Sequence, residues 1–157
     1  MASNAWWAYG SELKIGDDND GTDGTTEVFT KIAEIIDISG PSMSRDAIEV
    51  TSQDATSGWR EFIPGMRDGG EINLTANWIP SHATQDGTDG ILSKFEDDDD
   101  LHNFQIITAD DGSSGTMDID FAAVVTTFNV DLPLEEQGKL DFSLKVSGAV
   151  TIATTST

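Results

Sequence analysis

GWREFIPGMRDGGEINLTANW, residues 58–78, decides the fold. Its second half alternates strictly: Glu71, Asn73, Thr75 and Asn77 fall on one side, Ile72, Leu74, Ala76 and Trp78 on the other. That period of two specifies a strand with one wet and one dry face. Its first half is different. Trp59, Phe62, Ile63 and Met66 crowd a stretch with an arginine near each end, Arg60 and Arg67, and it closes on Asp68-Gly69-Gly70. So much apolar surface in a connecting segment is explained if another copy of the chain covers it. Residues 52–70 are therefore expected to form a long loop that serves assembly.

Working outward, similar patterns recur. Val28, Phe29, Ile32, Ile35, Ile36 and Ile38 predict one strand over 28–39, closed by Gly40-Pro41. Short strands are expected at 12–15, 47–51 and 102–108. Residues 116–132 are too long for one straight strand and are expected to bend near Val124. Met117, Ile119, Phe121 and Ala123 share one face there, and Phe128, Val130 and Leu132 share another. After a turn at 133–139, Leu140, Phe142, Leu144 and Val146 oppose Asp141, Ser143, Lys145 and Ser147. Residues 81–95 hold the one helical candidate, two to three turns from near Asp86, with Ile91, Leu92 and Phe95 on one side. The acidic run 96–100 opposes a helix C-terminal dipole and marks its end.

This inventory predicts a mainly β domain: an antiparallel β-sandwich or barrel with one short flanking α-helix and a long inter-subunit loop. A length of 157 residues suits one domain. Its expected extent is 1–152, with an N-terminal arm at 1–11, the assembly loop at 52–70 and a flexible tail at 153–157. The strands at 71–79 and 140–148 carry little that blunts a sheet edge beyond Lys145, so they are expected to offer edges for pairing between subunits. In the arm, Trp6, Trp7 and Tyr9 either clamp onto their own domain or anchor a neighbour.

Charge narrows the function classes. Eight Lys+Arg against 29 Asp+Glu leave a net charge of −21. Such a chain repels phosphates instead of gripping them, which disfavours nucleic-acid binding and docking on anionic membranes. With no cysteine, disulfides, thiolate metal sites and thiol nucleophiles are excluded. No run of about 18 apolar residues is present to cross a membrane as a helix, and the N-terminus lacks the pattern of a secretory signal.

Motifs for chemistry are sparse. His82 and His102 are the only histidines, and no nucleophile-elbow, zincin or phosphate-loop motif occurs. In the acidic loop 16–27, Asp18, Asp20, Gly21 and Glu27 match the third, fifth, sixth and twelfth positions of a calcium loop. Gly16 stands where the first ligand is needed, and the flanks read as strands. A looser calcium site from Asp17, Asp18, Asp20 and Asp23 is the alternative to a solvated turn. No catalytic residue, metal or cofactor is assigned. Arg60 and Arg67 either pair within the chain, Arg67 with Asp68 or Glu71, or bridge to an acidic patch of a neighbouring subunit.

At FTKIAEIIDISGPSMSRDAIEVTS (29–52), at the opening stretch and at VDLPLEEQGKLDFSLKVSG (130–148), with GSELKIG at 10–16, the chain resembles tail tube (major tail) proteins of long, non-contractile-tailed bacteriophages of the lambda-like type. The resemblance covers most of the chain. It implies a structural protein, not an enzyme: a β-sandwich that closes into stacked hexameric rings forming a hollow tube. The interface residues expected on this basis are Trp6, Trp7, Tyr9, Trp59, Arg60, Phe62, Ile63, Met66 and Arg67. The channel lining would be either Glu71, Asn73, Thr75 and Asn77 or Asp141, Ser143 and Lys145. Implied partners are further copies of the chain and the tape-measure, tail tip and tail terminator proteins of the phage. DNA would pass without specific binding, with no membrane involved. The implied location is the virion tail, assembled in the host bacterial cytoplasm. Two other functions stay open at this point: the inner tube of a contractile injection or type VI secretion system, and a calcium-dependent β-sandwich binding module.

Overall fold

A computed structural model describes residue 5 and residues 7–17, 27–54, 58–96, 100–112 and 115–156. The strand predicted at the centre of the opening stretch, β6 (Glu71–Asn77), is an interior strand of a seven-stranded antiparallel sheet. Ile72, Leu74 and Ala76 are buried, as their alternation requires. Its partners are β3 (Ile35–Ser39) and the long β9 (Lys139–Ser156). Leu74 lies opposite Phe142 and Ile72 opposite Leu144, so the dry faces of β6 and β9 make one apolar wall.

The other wall comes from β1 (Glu12–Gly16), β2 (Phe29–Lys31), β7 (His102–Ile107) and the start of β8 (Gly115–Asp131). Sheet order is β2-β1-β7-β8-β9-β6-β3. Leu13, Ile15, Phe104, Ile106 and Phe121 fill this side, with Phe104 and Phe121 stacked at 5.9 Å between ring centroids. Both walls share β8 and β9, which bend from one into the other. The bend explains the change of face in β8. Phe121, Ala123 and Val125 point inward at odd positions, whereas Phe128 and Val130 pack on the core at even ones. An irregularity between Val125 and Thr127, opposite Leu144 and Ser143, inserts the extra residue that flips the parity.

Several expectations are corrected. The strand expected over 28–39 is two, β2 and β3, separated by a turn in which Glu34 has φ 59°. The loop expected at 52–70 ends in a strand: β4 (Ser44–Glu49) and β5 (Phe62–Asp68) pair as a separate antiparallel hairpin. The segments 71–79 and 140–148 offer no edges, because β6 lies between β3 and β9, and β9 between β6 and β8. The supposed loose C-terminal residues continue β9, Thr151 facing Asp120 and Ser156 facing Gly115.

The helix is shorter than expected. Within 81–96 only α1 (Ile91–Glu96) is helical, because the preceding residues are folded otherwise. The Asp86 carboxylate accepts N–H bonds from Thr88, Asp89 and Gly90 at 3.1–3.3 Å, an Asx-type turn that competes with helix. These bonds, chiefly those from Asp89 and Thr88, hold the Asp86 carboxyl below its usual range. A side chain at Gly90 would meet the backbone nitrogens of Gln85 and Asp86 at 2.5 Å, so glycine is required there.

This turn carries a buried latch. Gln85 is fully buried; its Nε2 donates to the carbonyls of Ala33 (2.9 Å) and Asn77 (3.0 Å), and its Oε1 accepts from Ile79 N–H at 2.8 Å. Thr84 adds a hydroxyl acceptor for Ala33 N–H at 3.1 Å. Residues 32–34 connect the two edge strands, with Ile32 N–H bonded to Leu13 and Glu34 carbonyl to Asn77 N–H. Gln85 therefore fastens the point where the folded sheet's two edges come together.

Candidate functional site

The β4–β5 hairpin stands apart from this core. Every residue of β4 and six of seven in β5 are exposed, although both strands carry large apolar groups. Ile48 and Ile63 sit side by side across the ladder, and Phe62 faces Glu49. Trp59 is 78% exposed and Met66 89%. Pairing holds the hairpin together: Val50 N–H bonds Glu61 carbonyl at 2.9 Å, and Glu61 N–H bonds the Thr51 hydroxyl at 3.0 Å. Pro64 is tolerated because a two-stranded ribbon has only edges.

At its base the hairpin is tied to β9. Lys145 Nζ lies 3.0 and 3.2 Å from the Asp68 carboxylate oxygens, and Asp68 also accepts Gly70 N–H at 2.8 Å. The Gly70 bond first, then Lys145, hold the Asp68 carboxyl below its usual range. Gly70 itself has φ +75°, and a side chain there would collide with the Ser42 carbonyl. Chain crossing this close needs glycine.

All three arginines of the chain, Arg45, Arg60 and Arg67, belong to the 44–68 segment. Arg60 reaches Glu49 at 3.9 Å. The expected intrachain partners of Arg67 are otherwise engaged: Asp68 pairs with Lys145, and Glu71 stands opposite that same lysine. Arg67 instead lies directly across the ladder from Arg45. Sequence reasoning missed Arg45, together with the exposed Met43, Ile48 and Val50 of the same hairpin. The alternation of RDAIEV (45–50) was the available signal.

In the arm, Trp7 and Tyr9 are both exposed and pack on each other at 5.1 Å between ring centroids. Neither is clamped into the core. Trp6 lies outside the described residues, as do Asp18, Asp20 and Asp23 of the acidic loop and most of the 96–100 run. Among the described residues no group of three potential metal ligands gathers.

The two alternative lining sets are neighbours on one face. Glu71 lies opposite Lys145, Asn73 opposite Ser143 and Thr75 opposite Asp141. Side-chain bonds stitch them: Ser143 Oγ to Asn73 Oδ1 and Thr75 Oγ1 to Asp141 Oδ1, each 2.7 Å. The face continues through Asp37 and Ser39 of β3 and through Thr127, Asn129 and Asp131 of β8. Lys145 is bound to Asp68 and Lys139 approaches Glu136 at 3.6 Å. Among the described residues, Asp37, Glu71, Asp131 and Asp141 have no cation within 4.0 Å. The four-stranded surface is hydroxyl- and amide-rich with a negative excess.

This layer, β3-β6-β9-β8, also has two unused flanks. β7 pairs with β8 over 118–123, which leaves 124–131 without a further strand among the described residues. β3 is the outermost strand on the other side.

Comparison with known proteins matches this architecture. A family model described as "Lambda phage tail tube protein, TTP" matches residues 16–153. No curated protein sequence matches the chain. Among solved structures, the tail of an empty gene transfer agent particle, refined with C6 symmetry, superposes with a TM-score of 0.62 at 21% identity, covering 90% of this chain and 95% of that one. The sheath-tube complex of an extracellular contractile injection system gives 0.65 at 14% identity, covering 98% and 93%. The SPP1 tail tube gives 0.62 at 12%, covering 98% and 80%.

Proposed function

Because the chain belongs to the lambda phage tail tube protein family, and so is a structural component of a phage tail tube, we propose that it polymerises as stacked hexameric rings through the β4–β5 hairpin, the aromatic arm and the free flanks of the β3-β6-β9-β8 layer. The observation that carries this is the hairpin. A folded ribbon whose Trp59, Phe62, Ile63 and Met66 all face solvent has no role in its own domain's core. The C6 symmetry of the gene transfer agent tail supports six copies per ring.

Ring closure follows from the flanks. The outer edge of β3 in one copy meets the 124–131 flank of β8 in the next, each offering unpaired backbone groups. Repetition closes the layers into one barrel, and its continuous polar face lines the channel. Asp37, Glu71, Asp131 and Asp141 then repel the phosphates of a passing genome, which slides without sticking. Tape-measure, tip and terminator proteins would occupy the same surfaces at the ends of the polymer, and the finished tube would be assembled in the bacterial cytoplasm. The fold alone serves contractile injection tubes equally well; the family match favours the lambda-like tail.

Negative-stain microscopy of concentrated protein tests this. Tubes of uniform width are expected from the native chain. Trp59→Ala, or deletion of 58–66, is expected to leave folded monomer and no tubes. Native protein that stays monomeric at every concentration would refute the proposal.

A further inference from the structure

Arg45 and Arg67 pose an electrostatic problem that the tube alone does not answer. Two guanidinium groups directly opposite each other across a ladder repel. Among the described residues neither has a carboxylate within 4.0 Å, in a chain with 29 acidic residues. Between them the hairpin base forms a recess of about 300 Å³ lined by Met43, Ser44, Arg45, Arg67, Asp68 and Gly69. Its apolar floor and two free cations fit a segment that is apolar and acidic at once.

Among the described residues, such a segment lies at the far end of β9. The turn between β8 and β9 reads Leu132-Pro133-Leu134-Glu135-Glu136. Leu134 is 98% exposed and Leu132 71%. Glu135 has no cation within 4.0 Å among the described residues, and Glu136 meets only Lys139 at 3.6 Å. A leucine projecting fully into water, followed by two acids, is the complement of the recess.

Within one molecule the two cannot meet. The turn leads directly into Lys139, which faces Asn77; the recess adjoins Glu71, which faces Lys145. Six residues of extended strand separate those ends by about 20 Å. Hairpin and turn thus sit at opposite poles of the β6–β9 pair.

We propose that the 132–136 turn of one copy docks in the Arg45/Arg67 recess of the next, Leu134 against Met43 and Glu135 and Glu136 against the arginines. This rests on the tube reading and names its axial contact. Complementary patches at opposite poles make a head-to-tail interface, which propagates instead of closing on a pair. It also gives the polymer one polarity, since turn meets turn and hairpin meets hairpin only with like charges facing.

Charge exchange tests it. Arg45→Glu with Arg67→Glu, and separately Glu135→Arg with Glu136→Arg, are each expected to lower sedimentable tube at least about tenfold at the native assembly concentration, with far-UV circular dichroism unchanged. The combined fourfold variant is expected to regain tubes. Because the chain has no cysteine, Arg67→Cys with Glu135→Cys gives a second measure: oxidised polymer should run as a covalent ladder without reductant. Native-like tubes from either double variant, a folded fourfold variant that stays monomeric, or polymer without a ladder would each overturn the contact while leaving the tube itself intact. Failure of the native chain to polymerise is the separate result that removes the tube.

Discussion

Two neighbouring segments of this chain, β4–β5 and β6, are joined by a pair of glycines and obey opposite rules. In β6 every second side chain is buried, and its partners on β9 are buried with it. In β5 the large apolar groups Phe62, Ile63 and Met66 remain in water. Hydrophobic content is similar; what differs is whether the chain itself supplies a covering surface. The contrast separates residues that fold the subunit from residues that join subunits, and each group should respond to mutation in its own way.

The largest expected effect lies in the core. Phe142→Ala removes a fully buried ring and should lower stability by about 3–5 kcal/mol, read by chemical denaturation of the monomer. Loss below about 1 kcal/mol would show that the β6–β9 wall is not what holds the subunit together.

Gln85→Ala comes next. It strands two half-buried carbonyls and one N–H, each worth up to about 1–3 kcal/mol when left unpaired. A destabilisation of about 3 kcal/mol is expected, together with faster exchange of the Asn77 amide bonded to Glu34. Retained protection there would show that the sheet edges stay joined without the latch.

How much of this could be read before the structure follows the same division. Strict alternation at 71–77 and 140–146 declared the strands and their buried faces, because a period of two has one physical meaning in a half-wet sheet. The face change in β8 was visible as Phe121 and Ala123 against Phe128 and Val130. Gln85 was hidden: a polar residue in a glycine-rich stretch gives no sign that it will bond both the nearby Asn77 carbonyl and the Ala33 carbonyl more than fifty residues away. Strand order was equally hidden, so the polar faces of β6 and β9 read as rivals when they are adjacent. Half of the hairpin was legible: a strand was expected at 47–51, overlapping β4, whereas β5 passed for a loop because Phe62 and Ile63 are adjacent and Pro64-Gly65 follow, which erases the period that marks a strand.

On the hairpin, Met66→Ser should change monomer stability by no more than about 0.5 kcal/mol, as for exposed sites generally. Its effect should instead appear as a raised concentration for tube formation, measured by light scattering. A large loss of monomer stability would place Met66 in its own subunit's core and erase the contrast.

The smallest effect concerns the hairpin's tether. The Asp68 carboxyl is held below its usual range in the folded chain. Its stabilisation is therefore complete above the unfolded value of about 3.9 and is lost as pH falls through the folded value. Asp68→Asn should melt slightly below the native chain at pH 7, and the gap should close as acid protonates the folded-state carboxylate. A gap that persists in acid would assign the tether to packing and not to charge.

Hydrogen exchange compared between dilute monomer and assembled tube bears most directly on the claim that a sister molecule covers the hairpin. Amides of 44–49 and 62–68 should exchange readily in the monomer and become protected in the polymer, while those of β6 stay protected in both. Hairpin amides already as slow as those of β6 in the isolated subunit would contradict it.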